Sequence, residues 1–263
     1  TWPRWRRPAA VRCKTERVEA PLATSFEAAA ARYERGRPGW PVAAIEALGL
    51  SPASEVLDLA AGTGKLTRLL TRRFSRVVAI EPLPGMRAIL EREAPLAEVL
   101  AGSAEQIPLP AESVDAVVSA EAFHWFDGPR AVAEIARVLR PGGLLGVLFN
   151  RTSAPIEPHV HGVSALLRER GHPHRQHERI DSGSWLEAFA GSPFRGPREQ
   201  RFPNVHRQTR ERMLDYFASV SWIAGLDEPE RESLLAELRA LLPDTSYTVS
   251  WETRLLVFEY ASN

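Results

Sequence analysis

Apolar residues along this chain change period repeatedly, and the changes mark out strands and helices in alternation. Short apolar runs near 54–59, 76–81, 97–101, 114–120 and 143–149 read as strands. Val77 to Ile80 and Ala116 to Val118 are continuous enough for parallel strands buried on both faces. Helical spacing falls between them, near 65–73, 84–93 and 130–139. Ahead of the first strand, Thr24-x-x-Glu27 forms a capping box, and Phe26, Ala29, Ala30 and Tyr33 follow on one face of an amphipathic helix. Gly36-Arg37-Pro38 stops that helix. A second short helix starts at Pro41 and carries Val42, Ile45 and Leu48 toward the core.

Right-handed crossovers place the helices of such an alternation on both faces of the sheet, which predicts a doubly wound α/β fold. Ligands on these sheets bind beyond the carboxyl ends of the strands, where Asp58, Glu81, Ser103 and Ala120 to Trp125 fall. From Asn150 to about Arg201 the chain is rich in Pro, Gly, His and Arg and reads as a lid, with a helix only around Val163 to Leu167. Helices follow from about Thr209 to Ser219, with Met213, Leu214 and Phe217 on one face, and from Glu228 to Leu242, with Leu234, Leu235 and Leu238. Both suit a partial cap. Arg254 to Phe258 is a last strand. The expected organisation is a disordered tail over 1–20 and one domain over 21–263, comprising a helical flap (24–50), a core (51–150), lid and cap (151–245) and a final strand (246–263).

Composition narrows the function. Lysine plus arginine and aspartate plus glutamate each total 33, so the net charge is zero, which argues against nucleic acid as an obligatory partner. Cys13 is the single cysteine, which excludes a disulfide framework and a cysteine-based metal site and suits an intracellular, cytoplasmic enzyme. No apolar run approaches the length of a membrane span. The basic opening Thr1 to Arg7 lacks the apolar segment of a secretory signal. It reads as a disordered tail or a translated upstream stretch, with an organellar presequence as the alternative. Histidines at His159, His161, His172, His174 and His177 raise a metal site, but no matching carboxylates or cysteines accompany them, and the expectation is no metal.

The run Val56-Leu57-Asp58-Leu59-Ala60-Ala61-Gly62-Thr63-Gly64-Lys65-Leu66-Thr67 joins a buried strand to a glycine turn and a helix. A Walker loop needs glycine where Leu59 stands and Ser or Thr where Leu66 stands, so that reading fails twice. A nicotinamide fingerprint wants Gly or Ala at Thr67. Asp58 tips the balance. An acid in the turn repels a pyrophosphate but suits a ligand carrying an ammonium and a sulfonium, as S-adenosylmethionine does. Glu81, ending the second strand, can accept both ribose hydroxyls.

With these residues the chain resembles the class I S-adenosylmethionine-dependent methyltransferases, in the small-molecule group whose core reads D-x-G-x-G-T-G; here Ala60 replaces the first glycine. The resemblance extends through Leu100 to Pro110, Ser113 to Val118 and Arg137 to Leu144, and covers residues 24 to about 150. His124-Trp125-Phe126 is similar to a subgroup that includes trans-aconitate methyltransferase-like enzymes. The family implies a Rossmann-like, mostly parallel sheet whose last strand inserts antiparallel between its neighbours. It implies cofactor contacts from Ala60, Ala61, Gly62, Gly64, Pro82 and Ala120, with Met86 near the adenine. Ser103 stands where relatives carry an acid for the adenine amino group, a contact that Ala104 and Glu105 can replace. Tyr33 and Arg37 lie in a flap over the methionine end, with Arg37 placed for a carboxylate.

His124 is a general-base candidate for a phenol or alcohol acceptor, with the holding of Trp125 and Phe126 as its structural alternative. Glu121 is a second catalytic candidate. Trp125, Arg151 and Trp222 are candidates for the substrate pocket. The reading is an enzyme that methylates a small organic molecule, at a carboxylate or hydroxyl oxygen. The alternatives are an RNA or protein methyltransferase, or a cofactor-binding regulatory protein without transferase activity.

Overall fold

A computed structural model describes residues 29–152, 158–170, 180 and 182–261. Its strands are β1 (Glu55–Leu59), β2 (Arg76–Ile80), β3 (Glu98–Leu100), β4 (Val114–Ala120), β5 (Leu139–Thr152), β6 (Phe194–Gln208) and β7 (Tyr247–Tyr260). They form one sheet in the order β3-β2-β1-β4-β5-β7-β6. β1 to β5 pair in parallel, and β7 inserts antiparallel between β5 and β6. The order reverses between β1 and β4, which opens a crevice at the carboxyl ends of those two strands.

The two faces of the sheet are built from alternate residues of the same strands. Val56, Val77, Val118 and Leu255 pack under α2 (Val42–Glu46) and α3 (Thr67–Leu70), meeting Ile45, Leu48, Leu66 and Leu70. Leu57, Val78, Val117 and Phe258 pack on the other face against Val132, Ile135 and Val138 of α5 (Gly128–Val138). α4 (Pro84–Glu93) buries Leu90 against Ala79 of β2. Each large side chain so buried contributes roughly 1.5–3 kcal/mol. Glu134 and Arg137 of α5 clamp the chain before β4: Glu134 accepts from the Ile107 amide, and Arg137 donates to the Ile107 and Leu109 carbonyls. This leaves few main-chain groups of that loop unpaired.

Most expected elements stand where the periodicity puts them. β6 does not: the expected lid runs to about Arg201, yet residues 194–201 begin a long edge strand. The miss has a physical cause. An edge strand buries one face only, so even-numbered Phe202, Asn204, His206 and Gln208 turn inward while Arg201, Pro203, Val205 and Arg207 face solvent. A register shift between Arg195 and Arg198, at Gly196-Pro197, breaks the alternation that would have announced it. Similarly, β5 starts at Leu139, ahead of the expected 143, with Pro141-Gly142 in a bulge that the register jump from Leu139 to Leu144 accommodates. The capping box, the tail, Cys13 and His172, His174 and His177 lie outside the described residues, as do the side chains of His159 and His161.

Beyond the carboxyl edge, the first halves of β7 and the last of β6 rise past β5 and carry helices α6 (Pro158–Glu169), α7 (Arg210–Ala218), α8 (Ser221–Ala224) and α9 (Glu228–Leu241). Met213, Leu214, Phe217, Ile223, Leu234, Leu238 and Trp251 form their own apolar cluster. α1 (Ala30–Gly36) lies across α7 with the backbones in contact. A Cβ at Gly36 would stand 2.1 Å from the Tyr216 nitrogen. Arg35 donates from Nε and Nη2 to the two carboxylate oxygens of Asp215, at 2.6 and 2.8 Å, beside that crossing. Gly36→Ala therefore pushes α1 off α7. The expected loss is about 1–3 kcal/mol, the range for forced overpacking, and amides of residues 30–36 should exchange faster in a hydrogen-exchange experiment; unchanged protection there would refute the crossing.

Candidate functional site

Because side chains alternate along a strand, one face of the sheet presents Asp58 from β1, Ala120 from β4, Asn150 from β5 and Trp251 from β7, each two residues away from its neighbour's register partner. All four line a single cleft of about 570 Å³ including its mouth. Ala60, Ala61, Gly62, Thr63, Lys65 and Leu66 of the loop after β1 make its floor. Tyr33, Arg37, Pro38 and Trp40 close it from the amino-terminal side and Tyr216 of α7 from the cap side, with Glu121 just past β4.

The floor is a run of left-handed backbone. Ala60 (φ 59°), Gly62 (φ 60°) and Gly64 (φ 86°) all have positive φ, as does Glu121 (φ 54°). Gly62 faces the cleft, where the nearest atom to an added Cβ is on the Tyr33 ring at 3.9 Å. Gly64 serves packing instead, since a Cβ there would meet Leu90 Cδ1 of α4 at 2.7 Å. Ala60 holds a conformation that glycine adopts freely and an L-residue adopts at a cost of roughly 1–2 kcal/mol.

Two buried carboxylates hold this turn. Asp58 accepts from the Thr67 hydroxyl at 2.6 Å. Burial pushes its pKa up to about 7, opposed by the Thr67 hydrogen bonds and reinforced by nearby Glu81. Glu81 accepts from the Gly62 amide at 2.8 Å and the Leu83 amide at 3.0 Å. Burial raises its pKa too, and those two amides hold it back. Each oxygen of Glu81 thus takes one backbone donor, and a carboxylate oxygen has room for a second.

Glu34 fastens the flap to the floor. Its carboxylate accepts from the Thr63 hydroxyl at 2.6 Å and from Arg68 at 2.8 Å, and its carbonyl accepts from Lys65 Nζ at 2.5 Å. Arg37 fastens the flap to the cap, donating to the Ser219 hydroxyl at 3.0 Å and carbonyl at 3.1 Å. Its guanidinium lies over the rings of Tyr33 and Tyr216, 5.2 and 5.1 Å from their centroids. Loss of solvent around the Tyr33 phenol pushes its pKa up to about 12. At the far wall, Glu121 accepts from the Asn150 amide at 2.5 Å. The Asn150 side-chain oxygen accepts from Asn204 at 3.0 Å and Thr253 at 2.5 Å, and Asn204 also donates to the Gly39 carbonyl at 2.8 Å.

Of the candidates from sequence, Tyr33, Arg37, Asp58, Ala60, Ala61, Gly62, Ala120 and Glu121 come together around this cleft. Glu81 stands one hydrogen bond behind Gly62. Pro82 follows it on the surface, and Met86 is buried on α4. Ser103 and Ala104 sit in the turn after β3, with Ala104 in the core, while Glu105 accepts from the Asp127 amide that opens α5. His124, Trp125, Arg151 and Trp222 are not on the cleft wall. The His124 ring packs on Trp125 and Phe149, on the α5 face of the sheet. Arg151 follows Asn150 by one residue, so it points to that same opposite face, over the Phe149 ring and 3.9 Å from Glu121. Trp222 packs with the cap cluster. Trp40, Asn150, Tyr216 and Trp251 line the cleft without having been singled out. For Asn150 strand parity is the available signal; Trp251 falls within the expected final strand (246–263) but ahead of its apolar run Arg254 to Phe258. Among the described residues no group of histidine, cysteine and carboxylate side chains could hold a metal. No described helix is long and apolar enough to cross a membrane.

A crevice at the switch point of a 3-2-1-4-5-7-6 sheet, floored by a left-handed glycine turn and bordered by two buried acids, defines the class I S-adenosylmethionine-dependent methyltransferases. Comparison with known proteins agrees. A family described as a methyltransferase domain matches residues 57–147. An uncharacterised methyltransferase of Mycobacterium tuberculosis is 37% identical over 221 residues, covering 84% of this chain and 86% of its own. A malonyl-[acyl-carrier protein] O-methyltransferase of Serratia marcescens is 33% identical over 137 residues, 51% of this chain and 53% of that one. Among solved structures, a candidate type II methyltransferase of Anaeromyxobacter dehalogenans gives a TM-score of 0.65 at 25% identity, over 86% of this chain and 99% of that one. The chain belongs to the methyltransferase family, and its cofactor is S-adenosylmethionine.

The turn yields two stability predictions. Ala60→Gly relieves the left-handed strain while giving the unfolded chain about 0.4–1 kcal/mol of extra entropy, so the net gain is up to about 1.5 kcal/mol in a denaturant titration. A loss of stability would mean that the alanine methyl packs usefully. Asp58 has a folded pKa of about 7 against an ordinary 3.8, so its contribution is fully favourable below 3.8 and is lost as pH rises through 7. The stability gap between wild type and Asp58→Asn should therefore move in favour of the variant over that window. A gap that is flat with pH would show that Asp58 ionises normally.

Proposed function

We propose that this chain transfers the methyl group of S-adenosylmethionine to an oxygen of a small organic acceptor held in the cleft between flap, floor and cap. One observation carries the reading: residues from four strands, Asp58, Ala120, Asn150 and Trp251, converge on one cleft that flap and cap residues close. The cleft suits this cofactor because its acids, Asp58 and Glu121, favour a ligand with an ammonium and a sulfonium. Asp58 faces the ammonium, the backbone at Ala60 to Gly62 cradles the methionine portion, and the spare acceptor sites of Glu81 take the ribose hydroxyls. Pro82, Met86, Ser103, Ala104 and Glu105 border the adenine, and Arg37 meets the cofactor carboxylate from the flap.

When bound, the cofactor would supply an electrophilic methyl group on a sulfonium whose sulfur takes the bond's electron pair and becomes neutral on transfer. What the chain adds is alignment and exclusion of water, since holding a nucleophile near and in line with its target removes much of the entropic barrier. Trp40, Tyr216 and Trp251 supply apolar walls for this. Glu121 remains the catalytic candidate, because it reaches the cleft. His124 is off the wall, and its role is to position Trp125 and the turn that follows Glu121. Oxygen as the acceptor atom, and a carboxylate as its carrier, follow the likeness of His124-Trp125-Phe126 to trans-aconitate methyltransferase-like enzymes and of the core to an enzyme named as a malonyl-[acyl-carrier protein] O-methyltransferase.

Calorimetric titration with S-adenosylmethionine and S-adenosylhomocysteine, with NADH as control, tests the cofactor site. Saturable binding is expected, weakened about tenfold or more in Asp58→Ala, as for loss of a charge-assisted contact. A cation beside Asp58 lowers its raised pKa, so binding near pH 7 should release a proton that buffers of different ionisation enthalpy reveal. Tight binding of NADH instead would overturn the reading. Labelled-methyl transfer to a panel of small carboxylic acids and phenols then tests the acceptor. Glu121→Gln should lower kcat and His124→Gln chiefly raise KM; cofactor binding without transfer to any acceptor would leave a regulatory binding protein.

A further inference from the structure

Outside the proposed cofactor contacts, one cluster of polar groups stands at the cap-side mouth of the cleft. Lys65 lines the floor. Arg212 lies one helical turn before Tyr216 on α7, so it shares the face that Tyr216 turns to the cleft. His206, on the part of β6 that rises beyond β5, meets the Trp251 ring edge-on, with centroids 5.6 Å apart. Three separate elements thus bring nitrogen-bearing side chains to one rim.

The charge at this rim is only partly cancelled. Glu34 is the nearby acid, and both of its carboxylate oxygens are already engaged, by Thr63 and Arg68. Lys65 bonds to the neutral Glu34 carbonyl and stands 3.7 Å from the carboxylate, with two N–H groups to spare. Among the described residues, no carboxylate pairs with Arg212 within ion-pair distance. Against Glu34, and Glu93 3.9 Å from Arg68, stand Lys65, Arg68 and Arg212, which leaves one cation in excess.

His206 adds a proton-linked contact. Asn204 donates its NH₂ to Gly39 and Asn150, so its side-chain oxygen faces His206, and His206 must donate to it from Nε2, 2.8 Å away. The neutral ring then carries its lone pair on Nδ1. The facing groups are Lys65 from the floor, Arg212 from the cap, Asn204 on its own strand and Trp251 on β7; burial and the two cations hold its pKa below the ordinary value. An anion arriving at this rim reverses that effect and draws a proton onto Nδ1.

We propose that the Lys65, His206 and Arg212 rim receives an anionic group of the methyl acceptor, a carboxylate or phosphate distant from the atom that is methylated, with uptake of a proton by His206. This rests on the methyltransferase reading of the cleft and narrows the acceptor class to molecules with a second, anionic end. Arginine and lysine at one concave edge are the usual means of holding such a group.

The test uses the full chain at pH 7.5, titrated calorimetrically with inorganic phosphate and with succinate, in buffers of different ionisation enthalpy. Saturable binding with net proton uptake is expected, about fivefold weaker or more in Arg212→Gln, as for loss of one charged partner. Proton uptake should vanish in His206→Gln. The tighter of the two probes identifies the anionic group as phosphate or carboxylate. Binding unaffected by either variant, or no binding of either anion, overturns the proposal. Because S-adenosylhomocysteine is titrated against the same variants, failure of cofactor binding would strike the methyltransferase reading, and failure of anion binding alone would strike only the rim.

Discussion

Burying Asp58 and Glu81 at the carboxyl edge of the sheet is the constraint to which the surrounding structure answers. An ionised carboxylate taken out of water is unfavourable by several kcal/mol unless donors surround it. Among the described residues no cation is within ion-pair distance of either carboxylate, and the donors are Thr67 for Asp58 and two backbone amides for Glu81. To offer the Gly62 amide to Glu81, the chain after β1 has to turn through left-handed conformations at Ala60, Gly62 and Gly64. Thr67 must then begin a helix close enough to reach back to Asp58. The loop's shape, the short helix behind it and the spacing from Asp58 to Glu81 are consequences of one electrostatic requirement.

The same loop organises the pieces that close over it. Thr63, Lys65 and Arg68 converge on Glu34, and the neighbouring Arg35, Gly36 and Arg37 engage α7 and Ser219. Four consecutive residues therefore join floor, flap and cap. The partners are side-chain hydrogen bonds at partly exposed positions, each contributing modestly, so the closure is held by the close fit of α1 on α7 more than by any one pair. Helix α1 can part from α7 without disturbing the sheet, whose two faces pack in clusters that α1 does not enter.

How much of this the chain discloses follows from how each part is stabilised. The parallel strands announce themselves because both faces are buried: Val77 to Ile80 can only be interior. The glycine turn is legible because left-handed backbone restricts residue type, and Asp58 and Glu81 because acids next to buried strands are rare without purpose. β6 was illegible because an edge strand buries alternate residues and this one spends them on Asn204, His206 and Gln208, which carry no hydrophobic signal. His124 attracted notice through its chemistry, yet its ring packs away from the cleft, a matter of strand face and turn that residue type does not report. Arg151 and Asn150 reversed places for the same reason.

That division has a functional consequence. The walls of the cleft near the glycine turn come from β1 and β4, whose sequence is tightly bound by core packing. The walls near the mouth come from Asn150, Tyr216, Trp251 and the rising part of β6, where residues answer to neighbours in a polar network and a separate cap cluster. Substitutions at the first set disturb the apolar core, whereas those at the second act on the Asn150, Asn204 and Thr253 network or on the cap cluster around Trp251. A fold so arranged keeps one region fixed and leaves the other free to vary with the molecule it receives. On the proposed reading, acceptor choice falls to the hydrogen-bonded side chains of β5, β6 and β7 at the mouth, where the hydrophobic pattern is weakest.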